Sequence, residues 1–150
     1  MAQVAKSGSV KEEFFSCGKR RAVAARKIEG SNPSLRSMKY KFTSKDGYDF
    51  GWPGLKARAY SDKEDFARAS IAVFEAEKHG KVLTKTSDRI YYIIDGSGTF
   101  EIDGNKIHVE KTDAIIVPKN TPYDYWADKG KKLNLFLVHT PSFDEKGEVK

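Results

Sequence analysis

The chemistry open to this chain centres on one arginine and several tyrosines in a β-rich stretch. The stretch runs Ser87-Asp-Arg-Ile-Tyr-Tyr-Ile-Ile-Asp95, with Tyr123-Asp-Tyr125 further on. In a strand, side chains two apart share a face. If Arg89 points inward, Tyr91 and Ile93 follow it, while Ile90, Tyr92 and Ile94 face the other way. Tyr123 and Tyr125 share a face in the same manner. A guanidinium among phenols and aromatic rings suits a small organic anion with an apolar or sugar body, held by a bidentate arginine. The plainer alternative seats Arg89 at a rim, paired with Asp88, Asp113 or Asp124. The tyrosines, common in sheets, would then only pack.

Other constellations are absent. The single cysteine, Cys17, has no histidine near it in sequence, and there is neither a Gly-x-Ser-x-Gly elbow nor a phosphate-binding glycine loop. Asp95-Gly96-Ser97-Gly98 reads as a hairpin turn. His79, His108 and His139 are too scattered to suggest a metal site. His108, amid charged neighbours, reads as exposed, and His139 as a structural imidazole. His79 precedes a turn and is the one histidine placed to act as a base.

The elements that must hold these residues are short strands. Ile90–Ile94, Thr99–Ile102, Lys106–Val109 and Ala114–Val117 are β-branched or alternating and closed by turn residues, with Pro118 ending the last. Ser70–Glu77 and Leu133–His139 read as further strands, and Met38–Thr43 alternates as a half-buried one. Such regular spacing predicts an all-β antiparallel sandwich or barrel. Tyr48–Leu55, with three aromatics, two glycines and a proline, reads as an irregular loop, either an aromatic lid or a plug. Ser61–Ala69 carries an N-cap candidate and early acidic residues, so it is read as a short helix.

The run Tyr91–Gly104, then Asp113-Ala-Ile-Ile-Val-Pro118, and the tail Leu135-Phe-Leu-Val-His-Thr-Pro141 resemble the conserved barrel of the small cupins. The resemblance covers roughly residues 70 to 141. It implies a cupin-type barrel (a jelly roll), and leaves function open, since cupins include isomerases, epimerases, dioxygenases, lyases and binding proteins. The family's metal ligands are three histidines and a glutamate. Matched to the motifs, the glutamate position holds Arg89 and the third histidine position Tyr123. The first two fall on Val82 and Thr84, or on Leu83 and Lys85. A permanent cation in place of a carboxylate would repel a divalent ion, so no metal and no other cofactor is expected.

Taking the motif position of Arg89 as inward, the pocket is expected to hold Thr84, Lys85, Arg89, Tyr91, Tyr123, Tyr125 and Phe136. The leading expectation is a metal-free cupin that binds a small-molecule carboxylate or sugar phosphate, or another sugar-like metabolite. A second is a metal-independent isomerase or epimerase, with His79 and Tyr91 or Tyr123 as the proton-transfer pair. A third is a dimeric interaction module with a polyanion-binding arm.

The charge distribution bears on the third reading. Of the net charge of +6, residues 1–45 carry 11 basic against 3 acidic residues. The basic run Lys19-Arg-Arg21 and Arg26-Lys27 could meet nucleic acid, although the lack of interleaved aromatics argues against it. A solvated arm, or a strand such as Val23–Ile28 exchanged within a homodimer, is preferred. Residues 1–37 are read as this arm and 38–150 as one barrel domain. No apolar run suggests a membrane span or signal peptide, and a lone cysteine suits a reducing, cytoplasmic setting.

Overall fold

Alternation between buried and exposed side chains marks nearly every strand, and it dictates which face of each one meets the core. The computed structural model describes residues 39–150. Eleven strands form there: β1 (Tyr48–Trp52), β2 (Leu55–Ala59), β3 (Ser70–Ala76), β4 (Val82–Thr84), β5 (Asp88–Asp95), β6 (Ser97–Ile102), β7 (Asn105–Glu110), β8 (Ala114–Val117), β9 (Pro122–Ala127), β10 (Leu133–Thr140) and β11 (Glu148–Val149). All pairings between them are antiparallel. The six-stranded sheet has the order β1-β2-β3-β10-β5-β8, and the five-stranded sheet β11-β4-β9-β6-β7. The two enclose one core, giving the jelly-roll barrel. Readings placed on residues 1–37, including Cys17 and the exchanged strand, lie outside the described residues.

The core changes character along its length. Between β10 and β5 the inward pairs run Leu135–Ile93, Leu137–Tyr91 and then His139–Arg89. On the facing sheet Phe100 pairs with Tyr125, and Ile102 with Tyr123. One end is filled by Ile93, Phe100, Leu133 and Leu135, all fully buried. Each such side chain contributes about 1.5–3 kcal/mol relative to exposure. At the other end the same inward positions carry polar groups around a cavity. Gly98 permits tight closure of the apolar end. A Cβ there would lie 2.2 Å from the Trp126 carbonyl oxygen and 2.8 Å from Leu133 Cδ1.

Three local expectations are corrected. Tyr48–Leu55 is no irregular loop but contains all of β1 and the start of β2. Pro53-Gly54 closes that hairpin, with Gly54 at φ 89°, and this order suits a tight turn. Tyr48, Phe50 and Trp52 alternate with Asp49 and Gly51, so the aromatics share a face. Ser61–Ala69 forms turns instead of a helix. Asp62 accepts from the Glu64 and Asp65 amides while Asp65 accepts from the Asp62 amide. That closes one capped turn at residues 63–65, a second turn follows at 67–68, and β3 begins at Ser70 before a helix can form. Residues 39–43 form no strand; the Asp46 carboxylate ties back the Thr43 amide and hydroxyl.

Candidate functional site

The polar end of the barrel opens on a cavity of about 490 Å³. Its wall has two characters. Phe50, Trp52, Phe74 and Phe143 supply an aromatic side, and His79, Arg89, His139 and Glu148 supply polar groups. The aromatic side follows from the β1 alternation, which turns Phe50 edge-on to Phe74 at 5.7 Å and Trp52 toward His79 at 5.4 Å.

Arg89 is at the centre of the polar side. It is buried (4% exposed). Its Nη1 donates to the Tyr123 hydroxyl and its Nη2 to Glu148 Oε1. The guanidinium also lies 5.4 Å from the Tyr123 ring centre. Tyr91 and Tyr123 join hydroxyl to hydroxyl at 2.9 Å. Burial opposes the arginine charge, but Tyr123, Tyr91 and Glu148 outweigh it and raise its pKa above the ordinary value. Burial raises the pKa of Tyr91, Tyr123 and Tyr125 as well, so all three phenols are protonated near neutrality. Among the described residues, buried side-chain atoms without a protein partner are Arg89 Nε and the hydroxyls of Thr84, Ser87 and Tyr125.

Neither rim pairing proposed for Arg89 nor any of its three candidate carboxylates appears. Asp88 accepts from the Lys119 amide, Asp113 from the Glu110 amide, and Asp124 from the Gly80 and Tyr125 amides. Each is committed to backbone at a turn or strand end. Glu148 takes their place. It sits on β11, which pairs Glu148 with Thr84 and Val149 with Leu83 on β4. The Lys85 amide donates to the Gly147 carbonyl at 2.8 Å and anchors the strand. Nothing in the polar tail Asp144–Lys150 signalled that role; only the chain's return to β4 creates it.

His79 is stacked on Tyr125 at 4.5 Å and on Tyr123 at 5.4 Å. Its Nδ1 meets the Gly80 carbonyl at 2.8 Å. A carbonyl can only accept, so Nδ1 carries the proton and the neutral ring keeps its lone pair on Nε2. Burial, and then the charge of Arg89, push its pKa down to about 3. His139 lies across β10 from Arg89 and 3.5 Å from the Ser70 hydroxyl. Burial and Arg89 hold it well below the ordinary histidine value. His139, read from the sequence as a structural imidazole, also lines the cavity wall.

The other expected pocket residues fall out as follows. Arg89 and His79 line the cavity, while Tyr91 and Tyr123 stand behind Arg89 as its hydrogen-bonded support. Thr84 and Tyr125 are buried inward but do not form the wall. Lys85 is exposed, because it follows inward Thr84 by one residue. Phe136 is also corrected. Alternation divides β10 into the two faces expected, but the inward one holds Leu133, Leu135, Leu137 and His139.

The positions matched to the family's metal ligands therefore present two buried apolar or hydroxyl side chains, a guanidinium and a phenol. Such a set does not fit a divalent cation, which requires neutral imidazole or anionic donors. Among the described residues no group of three or more His, Cys, Asp or Glu side chains is placed to hold a metal ion.

The fold and site together define a jelly-roll barrel with a polar cavity at one end. Residues 75–139 match the family model described as Cupin domain, and the protein carries a small cupin domain. An uncharacterised protein of Methanocaldococcus jannaschii is 45% identical over 38 residues, which is 25% of this chain and 30% of that protein's length. The structure of Pac13, described as a nucleoside dehydratase, superposes with a TM-score of 0.65 at 25% identity, covering 74% of this chain and 89% of that one. A His-to-Gln form of this Streptomyces protein was solved with uridine. The polyketide cyclase RemF of Streptomyces resistomycificus gives a TM-score of 0.57 at 19% identity, over 70% of this chain and 81% of that one. No helix among the described residues is long and apolar enough to cross a membrane.

Proposed function

We propose that this cupin binds a small sugar-bearing metabolite of the nucleoside kind in the barrel cavity, without a metal. The observation that carries this reading is the mixed wall, which joins Phe50, Trp52 and Phe74 to Arg89, His79 and Glu148 around one cavity. A flat apolar ring fits against the aromatic side, and hydroxyl groups fit the donors and acceptors on the polar side. Pac13's likeness and its complex with uridine support the same class of ligand. The carboxylate and sugar-phosphate expectation is retained as part of the ligand panel. Calorimetric titration of the full chain with uridine, ribose, sugar phosphates and small carboxylates tests the reading. Binding of a sugar-bearing compound is expected, weakened by roughly 1–3 kcal/mol in Arg89→Lys, where the fork is lost. No binding across the panel would overturn it.

A second reading, metal-independent proton transfer, is favoured by His79. Its Nδ1–H is tied to Gly80, so Nε2 is the basic atom. So weak a base takes a proton only when negative charge develops beside it, and Arg89 with its tyrosines is placed to stabilise such charge. An epimerase, an isomerase or a lyase step would each use this arrangement. With a bound sugar-bearing ligand, solvent deuterium exchange into it should occur with the native chain and cease in His79→Gln.

We also propose a homodimer formed through the outer face of the six-stranded sheet. Two apolar rows cross four of its strands in register. One is Ile71–Val138–Ile90–Ile116 and the other Val73–Phe136–Tyr92–Ala114. Ile90, Tyr92 and Ile116 are exposed there. A two-fold axis through this face would lay apolar rows against one another without opposing charges.

A further inference from the structure

We propose that Glu148 is the residue that sets the charge preference of the cavity, selecting a neutral hydroxyl-bearing ligand over its phosphorylated or carboxylated counterpart. The proposal deepens the sugar-binding reading above and rests on it for the ligand's class. Three of its observations are independent of that reading.

Arg89 has two of its three nitrogens engaged, Nη1 by Tyr123 and Nη2 by Glu148, while Nε–H has no partner in the protein. An unsatisfied N–H on a buried guanidinium is costly, so an acceptor that reaches it from the cavity that Arg89 lines would be favoured. Next to it stands a carboxylate that engages Arg89 through Oε1 and leaves its second oxygen for a donor. A hydroxyl group satisfies both at once, because it accepts and donates. A phosphate or carboxylate only accepts; it would satisfy Nε–H but meet Glu148 with like charge in a poorly solvated site.

The remaining charges on the wall do not reverse this balance. Arg89 and Glu148 cancel, and elsewhere three lysines stand against four carboxylates. Glu148 is also held in place. β11 is paired with β4, and Gly147 lies so close to Thr86 that a Cβ would come within 2.2 Å of its hydroxyl oxygen. The carboxylate is thus a built part of the wall, with its side chain only 11% exposed.

The test uses the full chain and three probes: uridine, uridine 5′-monophosphate and inorganic phosphate, each followed by calorimetry and thermal shift. The native protein is expected to bind uridine at least tenfold more tightly than the monophosphate and to ignore phosphate. Glu148→Gln, which keeps the side-chain shape, is expected to reverse that order and to gain phosphate binding. Adding Arg89→Met to Glu148→Gln should remove the gain. Equal or tighter binding of the monophosphate by the native chain overturns the proposal, as does a folded Glu148→Gln that gains no phosphate. If Glu148→Gln does not fold, the comparison of uridine with its monophosphate in the native chain decides alone. If native protein binds no probe while Glu148→Gln gains phosphate through Arg89, the charge-setting role stands and the nucleoside reading falls.

Discussion

Arg89 and Glu148 are 59 residues apart in sequence, yet they form an ion pair against the wall of the barrel cavity. One belongs to an interior strand of the six-stranded sheet, next to its β8 edge, and the other to an edge strand of the second sheet. The pair therefore ties the two sheets together at the open end, alongside the Arg89–Tyr123 and Tyr91–Tyr123 hydrogen bonds. Removing either partner leaves a nearly buried charge without its counterion.

Arg89→Met is accordingly expected to destabilise the protein by about 2–4 kcal/mol. Combining it with Glu148→Leu should recover much of that loss, because the orphaned carboxylate is removed too. Chemical denaturation of the native chain, both single variants and the double variant gives the coupling. Additive losses would show that the two charges act separately.

The buried imidazoles predict a pH dependence of definite sign. His79 is depressed to about 3 and His139 well below its ordinary 6.5, so the folded state keeps both neutral while the unfolded chain takes up protons. Their neutral burial is fully compatible with folding above about pH 6.5. Stability should be lost as pH falls from 6.5 toward 3, by up to about 1.4 kcal/mol per pH unit for each ring. Thermal melts from pH 8 to pH 5 measure the slope. Replacing His139 with Asn or Gln should make it shallower, and an unchanged slope would count against the assignment.

Metal content follows from the guanidinium at the centre of the site. Protein freed of affinity tags is expected to contain no stoichiometric Zn, Fe, Mn or Ni. Its ligand binding should survive chelator dialysis. About one ion per chain, retained through chelation and lost on changing Tyr123, would refute this.

The apolar outer face makes a prediction about assembly. Light scattering should report a dimer for the native chain and a monomer for the Tyr92→Lys, Ile116→Lys double variant, with unaltered circular dichroism. A native monomer, or a dimer indifferent to both lysines, removes the proposed interface.

Gly98 offers a check on the apolar end. Gly98→Ala forces a methyl group against the Trp126 carbonyl and Leu133. The expected cost is about 1–3 kcal/mol from overpacking, read as a lowered denaturation midpoint. The cavity should keep its ligand affinity at temperatures where the variant remains folded.

The local pattern of residues sufficed for the barrel itself. Period-two alternation in β5, β9 and β10, the turn residues between strands, and Pro118 after β8 already carry the strand limits and group Arg89 with Tyr91 and Tyr123 with Tyr125, while their inward direction rested on the resemblance to the cupin motif. The limits and the grouping depend on neighbours in sequence and on the pleat. The fate of Phe136 did not follow, because alternation separates two faces without saying which one meets the core. The β1 hairpin was hidden by the glycines and proline that a tight turn and a close strand approach require. Glu148 was beyond reach for a different reason. A carboxylate in a polar tail acquires a role only when the chain crosses the cavity and pairs with β4, and that pairing is a long-range event. Tertiary structure alone decided that the charge of Arg89 is already balanced inside the protein by Glu148.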